Sequence, residues 1–250
     1  MKNLVIIQAR CGSTRLPAKV LLDLAGKTVL ERVIQRVQMS KNINEIVVAT
    51  TINIEDLRLV NLVSGLGIRV FTGSSEDVLD RFYQVGKLLK PEYVIRVTAD
   101  CPLFDGKVLD EALELIRPNT DYLSMLSETF PDGLDIEILK FSVLEKIWKE
   151  AKLQSEREHV TLYLRNHPDS FVFQDFSCSI GNLHDQRWTI DEQADYQFVK
   201  TIYDHFAPRW DFSMEDIYNY VRINPEILSL NSNILRNEGL RKSLENDKKS

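Results

Sequence analysis

The sequence predicts an α/β domain built on a mostly parallel central sheet. Through the first half of the 250-residue chain, short apolar runs of strand length alternate with segments of helical periodicity. This alternation is typical of parallel strands joined by crossover helices. The run Leu4–Gln8 does not alternate between apolar and polar residues, which indicates a strand buried on both faces. Chain length and a hydrophobic content of 44% are sufficient for one sizeable core.

The predicted elements follow one another regularly up to Ile116. Thr28 is a candidate N-cap, because Glu31 follows three residues later as in a capping box. The predicted strands are Leu4–Gln8, Glu45–Thr51, Ile68–Phe71 and Tyr93–Thr98. The predicted helices are Val29–Gln38, Glu55–Ser64, Asp77–Leu89 and Lys107–Ile116.

After Pro118 the alternation becomes less regular. We predict a single domain over residues 1–230, in which about 122–168 is a candidate insertion or dimerisation arm, and a polar C-terminal tail over 231–250. The later predicted strands are Asp121–Met125, Leu134–Leu139, Phe171–Phe176 and Gln186–Ile190. The later predicted helices are Val143–Ala151, Glu156–Asn166, Gln193–Phe206 and Ser213–Val221.

The charge and cysteine content exclude several classes of partner. A net charge of -6 and a pI near 5.4 argue against broad binding to nucleic acid or to an anionic membrane surface. The three cysteines show neither metal-ligand spacing nor a disulfide framework, and Met1–Gln8 is too short for a signal peptide or a membrane span. We therefore expect a cytoplasmic protein without nucleic-acid or membrane partners.

The polar loop Ala9–Lys19 is the most informative segment. It follows the first predicted strand, and open α/β sheets place their ligand sites at the carboxyl ends of strands. Arg10, Arg15 and Lys19 supply donors and positive charge suited to phosphate oxygens. The backbone amides of Gly12–Thr14 can form an anion cradle. The alternative interpretation is a solvated basic loop.

Two aspartates follow predicted strands in the same way. Asp100 comes after Tyr93–Thr98, and Asp191 comes after Gln186–Ile190. Mg²⁺ prefers one or two carboxylates together with substrate phosphates and water. A metal site is one interpretation. The alternatives are a turn-forming aspartate before a Cys-Pro pair, and an N-cap for the helix that starts near Glu192.

A polar face is also predicted in the second half of the chain. Asp135 and Glu137 alternate along a predicted strand and therefore point to the same side of it. Arg157 and His159 lie two residues apart near the start of a predicted helix and do not share a face. A single histidine in such a position is more often a surface residue than a catalytic base.

The segment from Gln8 to Lys19 resembles the opening motif of the sugar-activating cytidylyltransferases. That family includes the CMP-acylneuraminate and CMP-deoxyoctulosonate synthetases, and the sequence resembles most closely the spore-coat polysaccharide biosynthesis protein F type. The likeness continues in family order to about Tyr203. The further matching segments are Leu21–Lys27, Thr72–Phe82, Arg96–Leu103, Gly133–Glu137, Ser155–Thr161 and Arg187–Glu192.

The resemblance implies a Rossmann-like nucleotidyltransferase fold with a mixed central sheet, homodimeric in many members. It also implies Mg²⁺-dependent transfer of CMP from CTP to a sugar acid or a phosphorylated small acceptor, with release of pyrophosphate, in cell-surface polysaccharide or glycoconjugate biosynthesis. Two other functions stay open. One is a glycosyltransferase that uses a nucleotide sugar on a similar fold, and the other is a non-catalytic nucleotide-binding protein.

Roles for individual residues also follow from the resemblance. Arg10, Arg15 and Lys19 would be the catalytic phosphate ligands, and Asp100 and Asp191 would hold Mg²⁺. The candidate nucleotide contacts are Ala9, Gly12, Ser13, Gly73, Ser74 and Arg81, of which Arg81 is equally a candidate structural ion-pair partner. The candidate acceptor contacts are Asp135, Glu137, Arg157 and His159. Ala18 stands where many relatives have glycine, which disfavours a positive φ there.

Overall fold

The computed structural model describes residues 2–248, and the strands of this part of the chain form one mixed sheet. They are β1 (Asn3–Gln8), β2 (Glu45–Thr51), β3 (Arg69–Gly73), β4 (Tyr93–Thr98), β5 (Tyr122–Ser124), β6 (Glu137–Lys140) and β7 (Phe173–Asp175). Their order across the sheet is β3-β2-β1-β4-β6-β5-β7. Strand β6 is antiparallel to β4 and β5, and the other neighbouring strands are parallel. The predicted fold class is confirmed.

Helices cover both faces of the sheet, and the predicted capping box at the first of them is formed. The Thr28 hydroxyl accepts from the Glu31 amide at 3.2 Å, and the Glu31 carboxylate accepts from the Thr28 amide at 2.8 Å. The helices are α1 (Val29–Val37), α2 (Leu57–Gly65), α3 (Val78–Leu89), α4 (Gly106–Leu115), α5 (Phe141–Glu150), α6 (Gln154–Glu158), α7 (Leu162–Asn166), α8 (Gln193–Phe206), α9 (Met214–Ile223) and α10 (Glu238–Asp247).

Strand β1 is buried on both faces, as its continuous apolar run predicts. Leu4 and Ile6 belong to the core layer shared with α3 and α5, whereas Val5 and Ile7 belong to the layer shared with α1, α4 and α8. Because apolar layers cover both sides, polar side chains can collect only where the strands end. The fold thus directs the chemistry to the edge formed by the carboxyl ends of β1 and β4.

Three predicted elements differ from the structure. The predicted strand Leu134–Leu139 begins only at Glu137, so Asp135 precedes β6 and does not share a strand face with Glu137. The predicted helix Glu156–Asn166 is two short helices, α6 and α7, because the backbone at His159 (φ -103°, ψ 82°) is not helical. The predicted strand Gln186–Ile190 makes only one isolated bridge, between Asp132 and Arg187. The Ile190 amide donates instead to the Asp100 carbonyl at 2.8 Å, which ties this segment to the loop after β4.

The segment 122–168 contributes to the central sheet. It contains β5 and β6, and β6 lies between β4 and β5, while a role of this segment in dimerisation stays a prediction. The predicted tail 231–250 includes α10, which lies against α6, and its last two residues fall outside the described part of the chain. Between residues 2 and 248, no helix is long and apolar enough to cross a membrane.

Candidate active site

A cavity of about 720 Å³ opens at the carboxyl ends of β1 and β4. Its walls are the loop after β1, the segment after β4, the residues around β6, the α6–α7 corner and the first turns of α10. Most of the predicted site residues line it, although they come from distant parts of the sequence. They are Ala9, Arg10, Gly12, Ser13, Arg15, Lys19, Arg81, Asp100, Asp135, Glu137, His159 and Asp191.

The loop after β1 is anchored by a buried carboxylate that the sequence did not reveal. Asp56, which is fully buried, accepts from the Cys11 amide at 2.7 Å and from the Thr51 hydroxyl at 2.5 Å. It thereby joins the loop to the end of β2. The sequence feature that could have identified Asp56 is its position shortly after the end of a predicted strand, which is also the feature that identified Asp100. Asp56 positions the loop and does not line the cavity.

Ala18 adopts a left-handed conformation, with φ 52° and ψ 30°, which the sequence analysis disfavoured. Hydrogen bonds on both sides hold it there: the Ala18 amide donates to the Cys11 carbonyl at 3.1 Å, and the Leu21 amide donates to the Ala18 carbonyl at 2.8 Å. Such a conformation costs an alanine roughly 1–2 kcal/mol. The turn brings Lys19 into the cavity. The Ser13 amide also donates to Cys11, so it is already used and is not a free donor for an anion cradle.

Lys19 forms the centre of the site. Its ammonium group donates to Asp100 Oδ2, Asp191 Oδ1 and the Ile190 carbonyl, each at 2.7 Å, so all three N–H donors are used. Burial alone would lower the pKa of Lys19, but the two carboxylates raise it above its ordinary value. Burial would likewise raise the pKa of Asp100, but Lys19 holds it well below its usual range. Lys19 and Asp100 therefore stabilise each other's charged form.

The arginines around Lys19 differ in how their charges are balanced. Arg15 pairs with Asp191 at 3.0 Å and with Glu238 at 2.9 Å. Arg10 is 53% exposed, and its one carboxylate neighbour in the described residues, Glu158, lies 3.9 Å away. This separation is at the outer limit of an ion pair. Arg10 is consequently the less neutralised of the two guanidinium groups of the loop.

Arg81 lines the cavity as a buried guanidinium. It donates to the Ser74 carbonyl at 2.8 Å, and its Nε finds no hydrogen-bond partner within residues 2–248. Burial, with a smaller contribution from Arg10, lowers the pKa of Arg81 to about 10. No ion pair of Arg81 forms within this same range, so the structural ion-pair alternative is not supported.

The structure does not bring Gly73 and Ser74 to the cavity wall. Gly73 lies behind Arg81, where an added Cβ would approach the Arg81 Cγ to 2.9 Å. The Ser74 hydroxyl accepts from the amides of Glu76 and Asp77. These two candidates for nucleotide contact therefore position Arg81 and the start of α3.

Asp191 is held by a second buried arginine that sequence reasoning missed as a site residue. Arg187 is 7% exposed and donates to Asp191 and to Asp195, both at 2.9 Å, and also to Asp132. Asp195 in turn accepts from the Asp191 amide at 3.0 Å. Burial and the neighbouring Asp135 raise the pKa of Asp132 to about 6. The network fixes Asp191 at the start of α8.

A second polar cluster surrounds Glu137 at the other end of the cavity. Arg96, the Tyr122 hydroxyl at 2.6 Å and the Thr161 hydroxyl at 2.5 Å all donate to this buried carboxylate. Burial would raise the pKa of Glu137, but Arg96 outweighs it and the pKa falls to about 2. His159 lies close by, and burial lowers its pKa, so it is neutral at pH 7.

The candidate acceptor contacts are not all in place. Asp135 lines the cavity and pairs with Arg236 at 3.2 Å. Arg157 does not line the cavity: it donates to Asp77 at 2.9 Å and to the Trp148 carbonyl at 2.7 Å. The structure therefore uses Arg157 to join α6 to α3. Arg165 of α7 does line the cavity, together with Arg96, Arg187 and Arg236.

The donor set at Asp100 and Asp191 fits a hard divalent cation that completes its coordination with phosphate and water. Their two carboxylates already share one positive charge, the Lys19 ammonium. Within residues 2–248 no group of three or more histidine, cysteine or acidic side chains is arranged around a common point. This excludes a preformed protein cage in that range, and it agrees with the preference of Mg²⁺ for few carboxylates plus substrate oxygens.

A family model described as cytidylyltransferase matches residues 4–222. The chain belongs to the cytidylyltransferase family. The predicted resemblance and the predicted enzyme class, a nucleotidyltransferase, are thereby confirmed. The phosphate loop, both aspartates and Arg187 all lie within the matched range, whereas α10 lies outside it.

Relatives within this family have been described in other organisms. The spore coat polysaccharide biosynthesis protein SpsF of Bacillus subtilis is 36% identical over 89% of this chain and 95% of that protein. The 3-deoxy-manno-octulosonate cytidylyltransferase of Geobacter sulfurreducens is 36% identical over 48% of this chain and 47% of that protein. A solved cytidylyltransferase from Leptospira borgpetersenii superposes with a TM-score of 0.87 at 33% identity, covering 94% and 98% of the two chains.

Proposed function

We propose that this cytidylyltransferase transfers CMP from CTP to a sugar acid or a related small acceptor in a Mg²⁺-dependent reaction that releases pyrophosphate. The observation that carries the proposal is the buried contact of Lys19 with both Asp100 and Asp191, beside Arg10, Arg15 and Arg81. A cluster that combines several cations with two carboxylates suits a triphosphate and its metal ion. Family membership supports cytosine as the base.

The basic side chains bind the triphosphate in this proposal. Arg10 has one carboxylate neighbour within residues 2–248, Glu158 at 3.9 Å, and the Nε of Arg81 has no hydrogen-bond partner there, so both guanidinium groups are available to phosphate oxygens. Arg15 and Lys19 must first exchange a carboxylate for a phosphate. Asp100 and Asp191 would hold the metal ion in place of Lys19, whose ammonium would then be available to the phosphates.

Asp100 and Asp191 would hold Mg²⁺, which when bound supplies charge neutralisation to the reacting phosphate. Contacts within the protein fix the positions of these two aspartates. The Asp100 backbone carbonyl accepts from the Ile190 amide, and Asp191 is fixed by Arg187. Lys19 holds the pKa of Asp100 well below its usual range, and Lys19 and Arg187 both form ion pairs with Asp191.

The reaction is an in-line displacement at the α-phosphorus of CTP. The acceptor hydroxyl loses its proton to solvent, and its oxygen forms a bond to the α-phosphorus. The bond from that phosphorus to the bridging oxygen of pyrophosphate breaks. Positioning and charge stabilisation lower the barrier, so no covalent enzyme intermediate is needed.

The names of the relatives support a sugar acceptor. One relative is named for spore-coat polysaccharide biosynthesis, and the other is named for 3-deoxy-manno-octulosonate, a sugar acid. The cavity of about 720 Å³ has room for a nucleotide and a second ligand. A glycosyltransferase would instead require a finished nucleotide sugar and would release no pyrophosphate from CTP. A non-catalytic protein would bind CTP without turnover.

The test is pyrophosphate release by the purified protein with Mg²⁺, each of the four nucleoside triphosphates and a panel of sugar acids and phosphorylated acceptors. We expect release with CTP and an acceptor from the panel, and none without Mg²⁺. Release that depends on another nucleotide would contradict the base assignment. CTP binding without release across the panel would favour the non-catalytic function.

A further inference from the structure

The C-terminal helix α10 forms part of the cavity wall without belonging to the apolar core. Its residues Glu238 and Ser243 line the cavity. The structure describes all ten residues of α10, and none of them is buried or belongs to the apolar core layers. The helix also lies outside the range 4–222 that the family model matches. Polar contacts on the surface of the domain are therefore what holds α10 in place.

The first turn of α10 occupies one of the proposed phosphate ligands. The Glu238 carboxylate accepts from Arg15 Nη1 at 2.9 Å, while Arg15 Nη2 pairs with Asp191 at 3.0 Å. Lys242, and less strongly Arg15, lower the pKa of Glu238 below its ordinary value, so Glu238 is ionised at pH 7. A carboxylate of the protein thus occupies the donors that a guanidinium would offer to phosphate oxygens.

Of the two carboxylates that contact Arg15, Glu238 is the one that is free to leave. Asp191 is fixed by the buried Arg187 at 2.9 Å. Glu238 also pairs with Lys242 at 2.7 Å, but Lys242 belongs to the same helix and would move together with it. A triphosphate that binds to Arg15 would therefore replace Glu238.

The remainder of α10 is attached to the α6–α7 corner by similar polar contacts. The Ser243 hydroxyl donates to Glu158 at 2.8 Å and is hydrogen-bonded to His159 Nε2 at 3.0 Å. Asp247 accepts from the Ser155 amide at 3.2 Å, while its other carboxylate oxygen is buried without a hydrogen-bond partner in the described part of the chain. Such a buried oxygen is unfavourable, and exposed polar contacts contribute little stability. α10 can thus separate from the cavity while the sheet stays folded.

We propose that α10 is an autoinhibitory lid: Glu238 occupies Arg15 in the free protein, and CTP displaces the helix from the cavity wall when it binds. This inference rests on the proposed function, because CTP is the ligand that competes with Glu238 for Arg15. The apparent affinity for CTP is then the intrinsic affinity reduced by the fraction of molecules in which the lid is open. A substitution that loosens α10 should therefore tighten CTP binding, even when the substituted residue lies outside the cavity.

Asp247→Ala and its matched control Glu245→Ala test this consequence, because each removes one negative charge from α10. Neither residue lines the cavity, and Asp247 contacts α6 whereas Glu245 is exposed. Titration calorimetry with CTP and Mg²⁺, without acceptor, measures the Kd independently of turnover. We expect the Kd to fall about two- to fivefold in Asp247→Ala, since the contact that it removes is weak, and to stay at the wild-type value in Glu245→Ala. An unchanged or higher Kd in Asp247→Ala would overturn the lid.

Hydrogen exchange of the wild-type protein, followed by mass spectrometry, observes the helix itself. With CTP and Mg²⁺ we expect the amides of α10 to exchange faster and those of the loop Ala9–Lys19 to exchange more slowly. Slower or unchanged exchange in α10 while the loop is protected would overturn the lid and leave the proposed function intact. Absence of CTP binding would overturn the proposed function, and with it this inference. Faster exchange in α10 without pyrophosphate release in the acceptor panel would support the lid and contradict the proposed reaction alone.

Discussion

The charged side chains at the two ends of the cavity are compensated by different kinds of partner. Around the loop after β1, Lys19 and Arg15 are paired with carboxylates. When ligands bind, the phosphates of the nucleotide would replace these carboxylates as partners of Lys19 and Arg15, and a metal ion would bind to the carboxylates. Around β6, Glu137 accepts hydrogen bonds from fixed protein donors, which include Arg96 and the Tyr122 hydroxyl. The basic side chains of the first end must therefore exchange partners when a ligand binds, and we call it the exchanging end. The contacts of the second end do not have to change, and we call it the fixed end.

The largest effect should come from the centre of the exchanging end. Lys19→Met leaves two carboxylates without their shared cation and removes a phosphate ligand. We expect kcat/KM for CTP to fall about 10²- to 10³-fold, as for the removal of one charge-stabilising donor from an active site. Pyrophosphate release measures it.

Lys149→Met is the control for this variant, because Lys149 is exposed and outside the cavity. A loss of less than about threefold in Lys19→Met would contradict the exchange of partners, since it would leave Lys19 no role beyond holding the two aspartates together.

A substitution at the fixed end should lower the stability of the protein. Glu137→Gln leaves the half-buried Arg96 without its counter-charge, and the cost of about 3–5 kcal/mol for removing one partner from a fully buried ion pair is the upper bound for this loss. Urea unfolding at pH 7 measures this loss, and Glu145→Gln on the exposed face of α5 is the control. The pKa of Glu137 is depressed on folding, so the stabilisation is present above about pH 4.5 and is lost as the pH falls towards about 2. A loss equal to that of the control would mean that the end around β6 is not fixed by this pair.

Asp132 connects the two ends through its contact with Arg187, and its titration should change the pH dependence of stability. Its pKa is raised to about 6, so the folded state binds more protons than the unfolded state between about pH 4 and 6. Stability therefore declines as the pH rises through that window and levels off above it. Asp132→Asn should lack this decline, which urea unfolding at several pH values can measure. Parallel profiles for variant and wild type would contradict the raised pKa.

The smallest effect on kinetics should come from Glu238, which lies at the rim of the exchanging end. The Glu238 carboxylate of α10 occupies the Arg15 guanidinium, so Glu238→Gln should make Arg15 more available to phosphate. Since exposed ion pairs are weak, we expect the KM for CTP to fall by only about two- to fivefold. Glu245→Gln, on the same helix and outside the cavity, is the control. A higher KM in Glu238→Gln would mean that Glu238 assists nucleotide binding.

Sequence patterns predict the first half of the fold well for a physical reason. In β1, β2 and β4 a continuous apolar run reports burial on both faces, so their bounds follow within one residue. The segment 186–190 has two apolar residues, Trp188 and Ile190, which alternate with polar residues as in a strand. It instead crosses from Asp132 to Asp100 as a connection, and local composition cannot distinguish these two situations.

The site is predictable to the extent that its residues follow strand ends. The loop residues and both aspartates were found in this way, whereas Asp135 and Glu137 were found from their alternation along a predicted strand. The contacts that balance their charges could not be found, because they join distant segments. Arg15 and Glu238 are 223 residues apart in the sequence. Ala18 was misjudged because its hydrogen bonds with Cys11 and Leu21 outweigh the conformational preference of its own backbone.

The central claim is that this protein transfers the CMP moiety of CTP to a sugar acid. Mass spectrometry of a reaction with CTP, Mg²⁺ and 3-deoxy-manno-octulosonate or N-acetylneuraminate tests it most directly. The account predicts a CMP-sugar conjugate and pyrophosphate in equal amounts, both greatly reduced with Lys19→Met. Formation of CDP with a phosphorylated acceptor, or no new product while CTP binds, would contradict it.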